Sequence, residues 1–178
     1  MGRHIQRDWL VEGMDMLANA GSMSITIERL CSRLAVTKGS FYHHFTDMDA
    51  YKTALLQFIE EEATLAVITE VEVQAMPHLK LERLLQFTLQ SVTTVEVGLR
   101  VWALQDAEVR LVQERIDARR VAYLETLCLD LVAEPNQAVL LARMLYTVYV
   151  GSHHQLPPLV GESLQALYRV CMHAFGLS

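Results

Sequence analysis

The sequence predicts an all-α fold of about nine helices, a three-helix head followed by a larger helical body. Apolar residues recur at i, i+3, i+4 and i+7 along most of the chain. Only four prolines and eight glycines interrupt 178 residues, too few for a sheet protein that turns every ten or so. Hydrophobic residues make up 52% and charged residues 20%, which supplies a core and excludes disorder as the main state.

The first helix is predicted over residues 4–20, where Ile5, Trp9, Leu10, Met14 and Leu17 keep helical spacing and Gly21 stops the run. Gly13 sits mid-helix, as expected where another helix crosses closely. Thr26 is a good N-cap for a second helix, whose Ile27, Leu30, Cys31 and Leu34 form one stripe. Ala35-Val36-Thr37 breaks it, and Thr37 can cap a third helix from Lys38 to about Phe45. So short a helix does not persist alone in water. Phe41 and Phe45, four apart, can pin it to the core, leaving Gly39, Ser40, Tyr42 and His43 pointing outward.

Thr46-Asp47-Met48-Asp49 resembles a capping box and opens a long helix to about Val73. Beyond Pro77 the pattern gives Leu79–Val95, a short piece at Leu99–Gln105, and Glu108–Val132. Pro135 suits the first turn of a helix running to about Tyr149. The run from Gly151 to Pro158 reads as the longest loop. A last helix, Glu162–Phe175, carries Leu164, Leu167, Tyr168, Cys171 and Phe175 on one stripe.

The net charge of −6 excludes a globally basic nucleic-acid binder, though not a local contact surface. Residues 1–58 balance six Lys/Arg against six Asp/Glu, while 59–178 hold nine against fifteen, so a polyanion is repelled least by the head. Three well-separated cysteines with no CxxC argue against a disulfide framework or zinc site and for a reducing cytoplasm. The start, MGRHIQRDW, has no apolar core of a secretory signal. Ala138–Gly151, the most apolar stretch, is broken by Arg143 and is too short to span a bilayer. No membrane association is expected.

HExxH, GxSxG, Walker A and GxGxxG motifs are absent, so no catalytic residue, cofactor or metal is expected and the chain reads as no enzyme. His43 and His44 are neighbours on a helix and point apart, which makes no two-ligand metal clip. Glu60-Glu61-Glu62 reads as a solvated helix face.

Function concentrates in residues 26–45. Two short helices across a three-residue turn form a helix-turn-helix, whose second helix enters the major groove. Its exposed face offers Lys38 to a guanine edge or phosphate, Tyr42, His43 and His44 as donors to phosphate oxygens, and Gly39 for close backbone approach. A plain helical hairpin with a solvated polar face has the same pattern.

Residues 9–58 resemble the TetR/AcrR family of bacterial transcriptional regulators. The likeness is carried by LVEGMDMLANAG, Thr26-Ile27-Glu28-Arg29-Leu30, AVTKGSFYHHF and Asp49-Ala50-Tyr51. The resemblance implies a DNA-binding domain over 1–58 and a helical effector-binding and dimerisation domain over 59–178. It implies a ligand-responsive repressor that binds a palindromic double-stranded operator as a homodimer. Thr26 would cap the supporting helix and touch phosphate, and Thr37 would cap the recognition helix. Lys38, Gly39, Ser40 and Tyr42 would face the groove, while Tyr42 and His44 occupy positions that usually touch the DNA backbone.

Two residues depart from the family. Ala35 stands where a turn glycine is common, and a left-handed backbone there costs on the order of 1 kcal/mol. Met48 stands where a phosphate-binding lysine is usual, between two aspartates. Weaker or more salt-sensitive DNA binding is expected. A helical adaptor of the same fold that has lost DNA reading is the alternative, supported by the neutral head and Met48.

A single short helix covers few base pairs, so such readers pair to span half-sites. The expected interface is the last two long helices, through Leu141, Leu145, Tyr149, Leu164, Tyr168 and Cys171, unless those stripes fill the monomer core. Phe87, Trp102, Tyr123, Met144 and Tyr146 are the candidate walls of a small-molecule effector pocket, residue types that also serve as plain core. Arg100, Arg119, Arg120 and Arg143 can hold an acidic ligand or pair with nearby carboxylates.

Overall fold

A computed structural model describes residues 5–89 and 94–177. The described residues form α-helices and short 3-10 and π turns, and no strand. The helices are α1 (Gln6–Ala20), α2 (Ile27–Arg33), α3 (Lys38–His44), α4 (Met48–Glu60), α5 (Ala66–Glu72), α6 (Pro77–Leu89), α7 (Thr94–Ala103), α8 (Ala107–Leu129), α9 (Pro135–His154) and α10 (Gly161–Ala174). A π turn, Glu61–Leu65, lies between α4 and α5 in the chain.

The chain forms two compact units, one from Met1–Glu62 with Thr93–Gln113, the other from Ala63–Val92 with Glu114–Ser178. The first therefore holds α1 to α4, α7 and the start of α8. Its core is aromatic and leucine-rich: Trp9, Phe41 and Tyr51 are wholly buried, with Leu17, Leu30, Leu55 and Leu99 beside them. Two glycines permit close approaches. A Cβ on Gly13 would stand 2.0 Å from the Tyr51 hydroxyl, which donates to the Trp9 carbonyl at 2.8 Å. A Cβ on Gly98 would stand 2.8 Å from the Leu17 carbonyl oxygen, which fixes how α7 lies on α1. The close crossing expected at Gly13 is there, and α4 is the helix that crosses.

The second unit packs α6, α8, α9 and α10 around Leu81, Leu85, Leu124, Cys128, Leu141, Leu145, Leu164, Tyr168 and Cys171. All three thiols are buried, and burial pushes each one's pKa up, that of Cys128 to about 11.

Several boundaries differ from expectation for identifiable reasons. α6 begins at Pro77 rather than Leu79, because proline at the first helical position needs no donor. The Leu79–Val95 expectation crosses residues 90–93, which lie outside the described ones. α7 starts at Thr94, well before the expected Leu99. α9 runs on to His154, so the first half of the expected 151–158 loop is helical. The Gln155 amide donates to the Gly151 carbonyl at 3.2 Å and the Leu159 amide to the Ser152 carbonyl at 2.9 Å, satisfying the helix end locally. Among the described residues no helix is long and apolar enough to cross a membrane.

Candidate nucleic-acid interface

The helix-turn-helix forms where the sequence places it. Thr26 holds an extended backbone, and its hydroxyl accepts from the Arg29 amide at 3.3 Å, starting α2. After α2 the Ala35 backbone turns left-handed, at φ 54°, and Val36 N–H reaches back to the Cys31 carbonyl at 2.9 Å. That is the strained conformation expected of an alanine in the glycine position. Thr37 takes the N-cap position of α3, but its hydroxyl makes no capping bond; only its carbonyl is used, by the Ser40 amide at 3.0 Å.

Seven residues are too few to stabilise α3 by themselves, so tertiary contacts hold it. Phe41 is fully buried, its ring 5.5 Å from Trp9, 5.3 Å from Phe45 and 5.7 Å from Tyr51. Fixing that face turns the opposite one outward. Lys38, Gly39, Tyr42 and His43 are exposed, with Tyr42 at 55% of its full accessibility. Ser40 and His44 are half-buried, and the His44 ring leans on Trp9 at 6.2 Å. Thr26 is also half-buried, and its capping hydroxyl is already used.

α4 is capped one residue later than the sequence suggested. Asp47, not Thr46, is the N-cap: its Oδ1 accepts from the Ala50 amide at 2.8 Å. A carboxylate is the stronger acceptor at the positive end of a helix, which decides between the two. This end of α4 presents a carboxylate, with half-buried Met48 behind it.

Four cations of this region, Lys38, Arg33, Arg7 and Lys52, are paired with carboxylates. Lys38, the first residue of α3, pairs with Glu28 of α2. Arg33 pairs with Glu12 and Asp15 of α1. Arg7 meets Glu62 at 3.0 Å. Lys52 lies 2.7 Å from Asp106 and 2.8 Å from Glu108. The pairing of Lys38 was not foreseen. A glutamate at the start of α2 and a lysine at the start of α3 are the available signal, because the turn brings these two helices together.

The five candidate effector residues are divided between the two units. Trp102 lies in the first unit, its ring 6.0 Å from the Lys52 ammonium. The other four lie in the second. Phe87 packs beneath Arg83 at 4.6 Å. The Tyr123 hydroxyl donates to Glu72 at 2.6 Å, and that of Tyr146 to Asp117 at 2.7 Å. Met144 packs against the unit's core.

None of the five lines the groove between α6 and α10, about 500 Å³ in volume. Its floor is Leu81, Leu85 and Tyr168, and Gln86 and Arg169 stand at its sides. Of the arginines considered for an acidic ligand, Arg100 pairs with Glu96 at 2.8 Å and Arg143 with Glu125 at 3.4 Å. Arg120 donates to the Thr64 hydroxyl at 3.0 Å and the Ala63 carbonyl at 3.1 Å.

The expected dimer contacts need correcting. Leu141, Leu145, Leu164, Tyr168 and Cys171 are buried inside the second unit, where they hold α9 and α10 to α6 and α8. α10 carries a second apolar pair facing out, Leu167 and Val170, and α9 one exposed leucine, Leu140.

No protein-family model and no curated protein matches the sequence. Solved structures do match the fold. A protein described as a TetR/AcrR family transcriptional regulator superposes with a TM-score of 0.76 at 18% identity, covering 94% of this chain and 96% of that one. Escherichia coli NemR, in its reduced form, gives 0.72 at 17% identity over 97% and 96%. A Streptomyces coelicolor A3(2) protein described as a transcriptional regulator gives 0.69 at 17% identity over 96% and 98%. The chain thus has the all-α fold of TetR/AcrR-type regulators.

Proposed function

We propose that this chain is a cytoplasmic, sequence-specific DNA-binding transcriptional regulator. It is read as a ligand-responsive repressor that binds a palindromic operator as a homodimer and is not an enzyme. The observation that carries the reading is α3, a short helix clamped by buried Phe41 and Phe45 with Lys38, Gly39, Tyr42 and His43 exposed. Such a helix fits a major groove, with Lys38 and Tyr42 toward base edges or phosphate and His43 and His44 toward the backbone. Ser40 and Thr37 lie at its first turn, and Thr26 at the start of the supporting helix.

In this reading residues 1–58 are the DNA-binding part and 59–178 the effector-binding and dimerising part. A small molecule acts by favouring one spacing of the paired heads. Phe87, Tyr123, Met144 and Tyr146 remain candidates for contacting it, and Trp102 a separate one. Homodimerisation uses the outward faces of α9 and α10.

The adaptor reading, a co-regulator that no longer reads DNA, is favoured by one specific observation: Lys38, Arg33 and Lys52 are all tied to carboxylates.

Sequencing of genomic DNA retained by the purified protein tests the proposal directly. Recovery of fragments sharing a palindrome supports it; a folded dimer that retains no DNA at low salt supports the adaptor. Variants sharpen the test. Tyr42→Ala is expected to weaken DNA binding with little change in Tm. Phe41→Ala is expected to cost about 3–5 kcal/mol of stability, as truncation of a buried aromatic does. The reverse pattern overturns the assignment of faces to α3.

A further inference from the structure

Lys38 is the single Lys or Arg of α3, KGSFYHH, and so its one permanent positive charge. It is not held ready for an incoming anion. Its ammonium meets the Glu28 carboxylate of α2, ten residues earlier and across the turn. Both side chains are more than half exposed, at 57% and 65%, so an approaching phosphate has access to the ammonium. The hydrogen bond to Lys38 holds the Glu28 carboxyl below its ordinary range, and the same bond holds Lys38 above its own, so both partners are charged at neutral pH. The fold does not depend on the contact: α2 is started by Thr26, and α3 is anchored by Phe41 and Phe45.

We infer that Glu28 sets the duplex affinity of this head by acting as an internal substitute for phosphate, so that Lys38 reaches DNA only by exchanging one anion for another. This rests on the DNA-binding reading above. In the exchange, Lys38 displaces a counterion from the phosphate, while the freed Glu28 takes up a cation from solution. The two changes offset each other. Replacing Glu28 with a neutral side chain turns exchange into net gain: binding tightens, and its dependence on salt becomes steeper.

The test is fluorescence anisotropy of the full chain on a labelled mixed-sequence duplex of about 30 bp, across a range of KCl concentrations. Glu28→Gln is expected to bind about two- to fivefold tighter at low salt, the range that an exposed ion pair can move. The slope of log K against log salt is expected to steepen by up to about one unit. In a Lys38→Gln background the same substitution is expected to lose most of that gain. Glu28→Asp keeps the charge but shortens the reach, and is expected to fall between wild type and Glu28→Gln; it serves if Glu28→Gln proves poorly folded by circular dichroism.

Wild-type binding with no tightening in Glu28→Gln overturns the inference and leaves DNA binding standing. A gain that persists undiminished without Lys38 also overturns it, since Glu28 would then act by general repulsion of the duplex. If neither wild type nor any folded variant binds the duplex at low salt, the DNA-binding reading fails and the inference with it.

Discussion

Ala35 bears a left-handed backbone with a methyl group that clashes with its own carbonyl. The turn it makes is indispensable, because Val36 N–H must return to the Cys31 carbonyl for α3 to leave at the right angle. Glycine adopts this conformation without the steric cost, but loses more freedom on folding. The steric term is the larger, so Ala35→Gly is expected to stabilise the protein by about 0.5–1 kcal/mol. Thermal unfolding followed by circular dichroism measures it, and a lower Tm contradicts the argument. Alanine at this position was visible in the sequence as an anomaly; the positive φ is what makes it a strain.

At the scale of the element, α3 and α8 show two ways of fixing a helix. α3 lacks a side-chain cap and depends on buried aromatics. α8 begins with a cap and an ion pair that share one carboxylate. Asp106 accepts from the Glu108 and Val109 amides at 3.0 and 3.2 Å through Oδ1, while Oδ2 faces Lys52 of α4.

The Lys52 hydrogen bond is the main cause of a lowered Asp106 pKa. A depressed carboxylate stabilises the fold above its ordinary value of 3.8, and that contribution is lost as pH falls through the lower folded value. For Lys52, burial alone would lower the pKa, but Asp106 and Glu108 together raise it above the ordinary 10.5. Its contribution is therefore present below 10.5 and lost only as pH rises further. The tie is intact across the whole neutral range. Stability is expected to fall as pH drops below about 4, and the fall is expected to be shallower in Lys52→Met, as urea unfolding at a series of pH values would show. Equal slopes in the two proteins refute a role for this pair.

At the scale of the molecule, α10 bears two apolar faces and α9 an inner apolar face with one exposed leucine outside it. The inner faces, with Leu141, Leu145, Leu164 and Tyr168, build the second unit. The outer faces leave Leu140 at 49% exposure, Leu167 at 43% and Val170 at 67%. Exposed apolar residues aligned at i and i+3 on a terminal helix are suited to a matching helix from a second copy. Val170→Glu is expected to shift the protein from dimer to monomer in light scattering, with folding preserved, because Val170 faces away from the core. Loss of the dimer is expected to weaken DNA binding as well, since paired heads span two half-sites. A Val170→Glu dimer as stable as wild type places the interface elsewhere.

Helical class, the Thr26 cap, the turn before Thr37 and the division of α3 between Phe41 and Tyr42 follow from local rules, because a side chain's face is set by helical periodicity. The tertiary structure alone decided which apolar residues of α9 and α10 are inside, since periodicity marks a stripe as apolar and says nothing of what covers it. It also joined Glu28 to Lys38 and Asp106 to Lys52. The first pair had a signal in the short turn between two helix starts, but the second depends on how distant helices are placed in space, and no spacing along the chain encodes that placement.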